Sequence, residues 1–296
     1  MWRKPPSGLC PYKKSPMTGS TLKAATWRRI PSGDVLIKTA VFSYVGLIVI
    51  LPLLTISLQA LGQGFSSIWE DVTQPQAWYA LRLTFLSAIA MALLNAVTGT
   101  AMAWVLVRHD FPGKPIVNSL IDLPFALPTN VTGLMLVVLY GPVSWLGRYL
   151  KLHGIEIIYA QPGIILALLF VTFPFVVRSV QPVLMELDKD IEEAAATLGA
   201  GRLTTFRRVV LPHLMPSILT GVALAFSRAL GEFGSVVVVA GNIPMKTQVA
   251  PVFIYGEIES YNPRGALAVS LVLLLSSLLI LILLNRLQHW GRERGT

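Results

Sequence analysis

A single cysteine, Cys10, occurs in 296 residues, and it lies in the polar first stretch of the chain. An intrachain disulfide is therefore excluded, and no cysteine-based metal cluster is suggested. Charge is scarce as well: Asp, Glu, Lys and Arg make up 13% of the residues, about half the share of an ordinary soluble domain. Acids are the scarcer sign, 15 against 24 Lys and Arg, for a net charge of +9. Beside long apolar runs such an excess reports topology, so nucleic acid is not an expected partner. The four histidines, His109, His153, His213 and His289, are dispersed at the ends of apolar runs or between them. Their separation argues against a metal site. No Ser-His-Asp set, no paired carboxylates and no GxxxxGK[ST] phosphate loop occur, so no residue is assigned a catalytic role and ATP phosphates have no cradle in this chain.

Apolar residues are present in abundance, at 54%. Runs of about 20 recur, each long enough to cross a hydrocarbon core of about 30 Å. The pattern predicts an all-α integral membrane protein with six transmembrane helices, near 37–61, 79–107, 116–140, 161–186, 216–240 and 265–285. Residues 1–35 are rich in Pro, Ser, Gly and basic residues and lack the apolar core of a signal peptide, which predicts a disordered cytoplasmic tail. A transmembrane domain over 36–290 and a short C-terminal tail, 291–296, complete the division. With the amino terminus inside, 17 of the 24 Lys and Arg fall on inner segments (Lys38 counted with the tail), and four on outer loops. The positive-inside rule therefore places both termini in the cytoplasm.

One inner connection, residues 187–215, is far longer and more charged than a turn between spans needs. Ile191, Ala194, Ala195 and Leu198 recur at i, i+3, i+4 and i+7, one face of a helix. Asp188, Asp190, Glu192 and Glu193 crowd its start, where they complement the dipole. Gly199 follows, a usual site for a left-handed stop. Leu203, Phe206, Val209 and Val210 form a second short stripe, and Pro212 and Pro216 restart the chain as span five. Small alanines at the centre of the first stripe let another surface come close. By pattern alone, a docking helix pair and an amphipathic pair on lipid headgroups stand equal.

Polar residues inside the spans carry the second signal. Arg228 lies near the middle of the fifth run, where a lone charge costs about 3 kcal/mol on insertion scales. Glu232, four residues on, can neutralise it, and Gly231 and Gly234 allow close approach of a helix or ligand. The pair is either a structural lock or a source of guanidinium donors for a crossing anion. In the third run Pro124 and Pro128 predict a broken or kinked helix: either they simply set packing geometry, or Thr129 and Asn130 cap a restarted half whose free amides face the pathway. Arg82 is expected to snorkel at the outer start of span two, and Arg178 to snorkel or pair with Glu186.

Glu193-Ala194-Ala195, three residues, Gly199, nine residues, then Val209-Val210-Leu211-Pro212 resembles the "EAA" loop of permease subunits in ATP-binding-cassette importers. That family usually has Ile where this chain has Val209. The resemblance implies the type I importer permease fold, with a coupling helix between spans four and five that docks on a separate ATPase through Glu193, Ala194, Ala195, Leu198, Gly199, Leu211 and Pro212. It thus favours docking over lying on lipid. The segment "SRALGEFGSVVVVAGNIPMKTQVAPVFIYGEIESYNP" resembles the oxyanion branch, and "GNIPMKTQVAP" with "GEIESYNPRGALAVS" looks more like T-type sulfate/thiosulfate permeases than molybdate permeases. The implied partners are a W-type second permease, two copies of an ATPase that holds ATP and magnesium, an external sulfate-binding protein and membrane lipid. The implied location is a bacterial or plastid-type inner membrane. A molybdate/tungstate permease is the alternative within the class. An ion-driven secondary anion transporter is the alternative outside it, and the spaced loop argues against that.

Overall fold

The computed structural model describes residues 33–293, all helix, turn or loop, with no strand among them. The tail expectation for 1–35 thus falls, apart from its last three residues, outside the described part. The chain divides between Pro52 and Leu53 into two units. The first contains helix α1 (Gly33–Val45), a π-helical turn (Gly46–Ile50) and the first residues of α2 (Leu51–Gly62), and its described side chains face outward. At that turn the Leu51 amide donates to the Gly46 carbonyl, one residue further back than in an α-helix, immediately before Pro52.

The second unit continues with α3 (Phe65–Thr73), α4 (Pro75–Arg108), α5 (Lys114–Ile121), α6 (Leu123–Ala126), α7 (Thr129–Tyr140), α8 (Trp145–Leu152) and α9 (Gln161–Glu186). It ends with α10 (Lys189–Thr197), α11 (Arg202–Thr205), a second π turn (Phe206–Val210), α12 (Leu211–Leu230), α13 (Gly234–Ala240), α14 (Ala250–Glu259) and α15 (Pro263–Glu293). Proline opens α15 and sits in the first two positions of α4, α5, α6, α9 and α14. There its missing amide leaves no hydrogen bond unmade and its fixed φ already suits the helix.

Five helices are long and apolar enough to span a membrane: Val35–Gly62, Pro75–Arg108, Gln161–Glu186, Arg202–Leu230 and Pro263–Leu283. The third run instead breaks into α5, α6 and α7. Leu127 and Pro128 are extended there, because a residue before proline is driven out of the helical region. After α7 the chain bends by 62° into α8. Helix α15 runs on to Glu293, beyond the predicted end near 285 and into the segment read as a tail.

Three helices, α4, α9 and α12, form the centre of the second unit. Val176 of α9 is wedged between two glycines, and a Cβ on Gly99 of α4 would stand 2.8 Å from the Val176 Cβ. A Cβ on Gly221 of α12 would stand 2.7 Å from the Val176 Cα. In lipid, where apolar burial alone does not draw helices together, such close approach supplies the packing contact. One buried cluster (Met91, Ile164, Leu230, Val239, Val252) joins these helices to α13 and α14. A second (Ala103, Val176, Leu184, Val210, Leu214) joins them at the α10 end. A third (Ile68, Val72, Ala80, Phe253, Val269) ties in α3, α14 and α15.

Candidate docking face and anion site

Helix α10 forms where the sequence predicts it. Asp188 opens it, its Oδ1 accepting from the Asp190 amide at 3.1 Å. Gly199 closes it at φ +83°, the Gly199 amide donating to the Ala196 carbonyl (2.9 Å) and the Ala200 amide to the Ala195 carbonyl (3.0 Å). This paired bonding satisfies two orphan carbonyls and requires a left-handed residue at that position. Ile191, Glu193, Ala194 and Leu198 are exposed and Ala195 is half-buried; Leu198 is 89% exposed.

The second stripe behaves differently. Phe206 meets Trp104 edge-on at 5.3 Å and Val210 is fully buried, while Leu203 stays exposed. The expected second short helix is thus the first turn of span five, not a separate docking element. Pro212 does not restart the chain. The π turn before it, with the Leu211 amide on the Phe206 carbonyl, absorbs the missing proline donor, and Leu211 is half-buried with Pro212 exposed on the continuous helix.

A groove of about 890 Å³ separates α10 from the end of α4, lined by Trp104, Arg108, Glu192, Ala196, Arg202 and Phe206 among others. Across it Arg108 Nη2 meets Glu192 Oε1 at 2.7 Å and donates to the Leu187 carbonyl at 3.0 Å. The guanidinium carbon lies 5.8 Å from the centre of the Trp104 ring. On the adjoining turn Lys114 hydrogen-bonds Asp110 at 2.8 Å and holds its carboxyl below the usual carboxylate value.

The second site lies at a break that the periodicity did not reveal. The fifth apolar run is not one helix: α12 ends at Leu230, Gly231–Phe233 interrupt it, and α13 starts at Gly234. Arg228 is therefore in the last turn of α12, not in mid-helix. Its Nη1 pairs with Glu232 Oε2 at 2.7 Å. Glu232 Oε1 accepts from the Ser235 amide (2.9 Å) and hydroxyl (2.8 Å). The Glu232 side chain is 1% exposed against 37% for Arg228, so the acid is locked while part of the Arg228 side chain stays accessible. Gly231 is exposed. Gly234 abuts the start of α7, where a Cβ would collide with Thr129 Oγ1 and Asn130 Oδ1. Thr129 and Asn130 occupy the first turn behind Pro128, and the Val131 and Thr132 amides turn back onto the Pro128 carbonyl. Those two amides do not face a pathway.

Arg178 neither snorkels nor pairs with Glu186. Its Nε and Nη2 grip Asp122 at 2.7 and 2.6 Å, and its remaining donors reach Asn118 Oδ1, the Asn118 carbonyl and Gln181 Oε1. Arg82 is exposed and lines a pocket of about 440 Å³ with Tyr79, Ser87 and Gln161. The sequence reading missed Arg108, Asp122 and Ser235 as partners. For Arg108 the available signal was an arginine ending a span opposite an acid-rich helix start.

Residues 95–292 match the model of the family described as binding-protein-dependent transport system inner membrane component. The sulfate transport system permease protein CysT of Synechocystis sp. is 47% identical over 250 residues, 84% of this chain and 87% of that protein. The protein of the same name from Salmonella typhimurium is 43% identical over 271 residues, 91% of this chain and 98% of its own. Among solved structures, a bacterial alginate ABC transporter in complex with an alginate-bound periplasmic protein superposes with TM-score 0.70 at 16% identity, over 86% of this chain and 92% of its own. The MetNI methionine ABC transporter superposes with TM-score 0.53 at 16% identity, over 73% and 94%. With its all-helical spans, its broken third and fifth runs and its exposed α10, the chain belongs to the family of binding-protein-dependent transport system inner membrane components, the multi-pass permeases of ABC importers.

Proposed function

We propose that this permease is the membrane-spanning subunit of an ATP-driven importer that carries sulfate or thiosulfate inward. The observation that carries the reading is α10, a sharply capped helix whose apolar face is left largely exposed among the described residues. A separate ATPase supplies the cover, seating on Glu193, Ala194, Ala195 and Leu198, with Gly199, Leu211 and Pro212 fixing the angle at which the helix is presented. Two such ATPases, each holding ATP and magnesium, close on ATP and draw α10 and its counterpart on a W-type second permease together. The spans then rotate and open outward to an external binding protein, which releases its anion.

Sulfate as the cargo is supported by the relatives named sulfate transport system permease proteins, which cover most of this chain. The chemistry fits. Glu232 holds Arg228 through Nη1, and the guanidinium donors outside that pair can be offered to an oxyanion. Both termini lie in the cytoplasm on this reading, as the Lys and Arg distribution requires. An inside-negative membrane opposes entry of a dianion by about 4.6 kcal/mol per 100 mV, so uptake needs an energy source.

The test is ATP hydrolysis by the chain reconstituted in lipid with its second permease and ATPase. Binding protein loaded with sulfate, thiosulfate or molybdate is added in turn. Stimulation by sulfate or thiosulfate supports the reading. Stimulation by molybdate alone keeps the architecture and overturns the substrate, and failure of any ATPase to associate overturns the docking assignment.

A further inference from the structure

Helix α10 is joined to the spans on both sides by non-helical chain. Leu187 and Asp188 are extended at ψ 114° and 133° before it, and the left-handed Gly199 and extended Gly201 follow it. Such joints bend under load, so backbone alone does not carry a displacement of α10 into the bundle. Side chains must do it, and among the described residues Arg108–Glu192 is the one ion pair that α10 makes.

We infer that Arg108 is a positioning residue, the rigid link that passes motion of α10 to α4. One of its nitrogens, Nη2, meets two parts of the loop at once: Glu192 inside α10, and the Leu187 carbonyl at the joint between α9 and α10. The Arg108 side chain is 9% exposed, and Trp104 stands one turn back with its ring near the guanidinium. Trp104 also packs edge-on against Phe206 at the start of span five. The last turn of α4 therefore holds the loop on both flanks, before α10 and after it. Helix α4 has 34 residues, about 50 Å at 1.5 Å per residue, enough to carry a shift at this end across the bilayer. With Arg108 9% and Glu192 22% exposed, the pair resists separation, because parting it leaves the well-covered Arg108 charge without its counter-charge. The flexible joints allow α10 to follow the ATPase, and the pair makes α4 follow α10.

This inference rests on the reading that α10 docks on an ATPase, and the experiment separates the two. The full complex, with both permeases, ATPase and loaded binding protein, is reconstituted in lipid. Co-purification of the ATPase, basal hydrolysis and sulfate imported per ATP are measured for wild type, Arg108→Gln, Glu192→Gln, Arg108→Lys and the charge exchange Arg108→Glu/Glu192→Arg. The inference expects the two Gln variants to retain the ATPase and basal hydrolysis while sulfate imported per ATP falls about tenfold. Arg108→Lys keeps the charge but loses the planar head beside the Trp104 ring and falls between. The exchange recovers most of the ratio lost by either single change. Single variants that assemble and import at the wild-type ratio overturn the link, as does an exchange that recovers nothing. A wild-type chain that fails to retain the ATPase overturns the docking reading and the link together.

Discussion

Arg228 and Arg178 both carry charge into an apolar bundle, and their partners show how differently the two are used. Arg178 is saturated by Asp122, Asn118 and Gln181, which pins the broken third run to α9. Replacing Asp122 by Ala removes the counter-charge. With Arg178 29% and Asp122 48% exposed, the loss belongs between surface and buried pairs, about 1–3 kcal/mol. It is read as a lowered midpoint of thermal unfolding in detergent, with Asp122→Asn losing less; an unshifted midpoint contradicts the structural role. Arg228, in contrast, keeps part of its side chain accessible while Ser235 holds its partner Glu232. Arg228→Ala is expected to lower sulfate uptake at least tenfold with the complex intact and ATP still bound, whereas undiminished uptake would make the pair a helix lock. The Arg228–Glu232 pair was legible because its members stand four residues apart. Asp122 and Arg178 are 56 residues apart and Arg108 and Glu192 stand on helices far apart in sequence, so one-dimensional spacing does not match them; nearness in sequence offers Arg178 only Glu186, beside snorkelling.

At the scale of elements, α10 was readable in full because its determinants are local: an Asp cap, a period of 3.6 and a glycine stop. Gly199→Ala puts a Cβ on a left-handed residue, at a cost of about 1–2 kcal/mol, although nothing within 4 Å would obstruct it. The expected result is faster amide exchange over 194–200 and weaker ATPase retention, with the spans unaffected; unchanged exchange would show that the stop is not set by the glycine. The breaks were less legible. Pro128 announced the one before α7, but the Gly231-Glu232-Phe233 break read as continuous apolar helix, because its residues are individually tolerated in a span. The π turn before Pro212 hid for a different reason: it keeps the chain helical where proline usually marks a boundary. Between elements, Gly221→Val would drive a side chain into the Val176 backbone and part α9 from α12. A loss of about 1–3 kcal/mol is expected, seen as thermal inactivation at lower temperature; a variant as stable as wild type would show the seam to be loose.

For the whole molecule, three buried clusters make the second unit one helical body with exposed apolar flanks for lipid, and the loop face at α10 is its one long, charged departure from span-and-turn economy. On the proposed function, transport against a membrane potential draws its energy through that loop. The most direct measurement is accumulation of labelled sulfate in sealed vesicles that hold the full complex, with loaded binding protein on the outer side of the complex and ATP on the α10 side. Potential and proton or sodium gradients are set independently. Accumulation that requires ATP, survives collapse of every ion gradient and disappears with Gly199→Pro is the predicted result. Accumulation driven by an ion gradient without ATP would contradict the account and make the chain a secondary transporter.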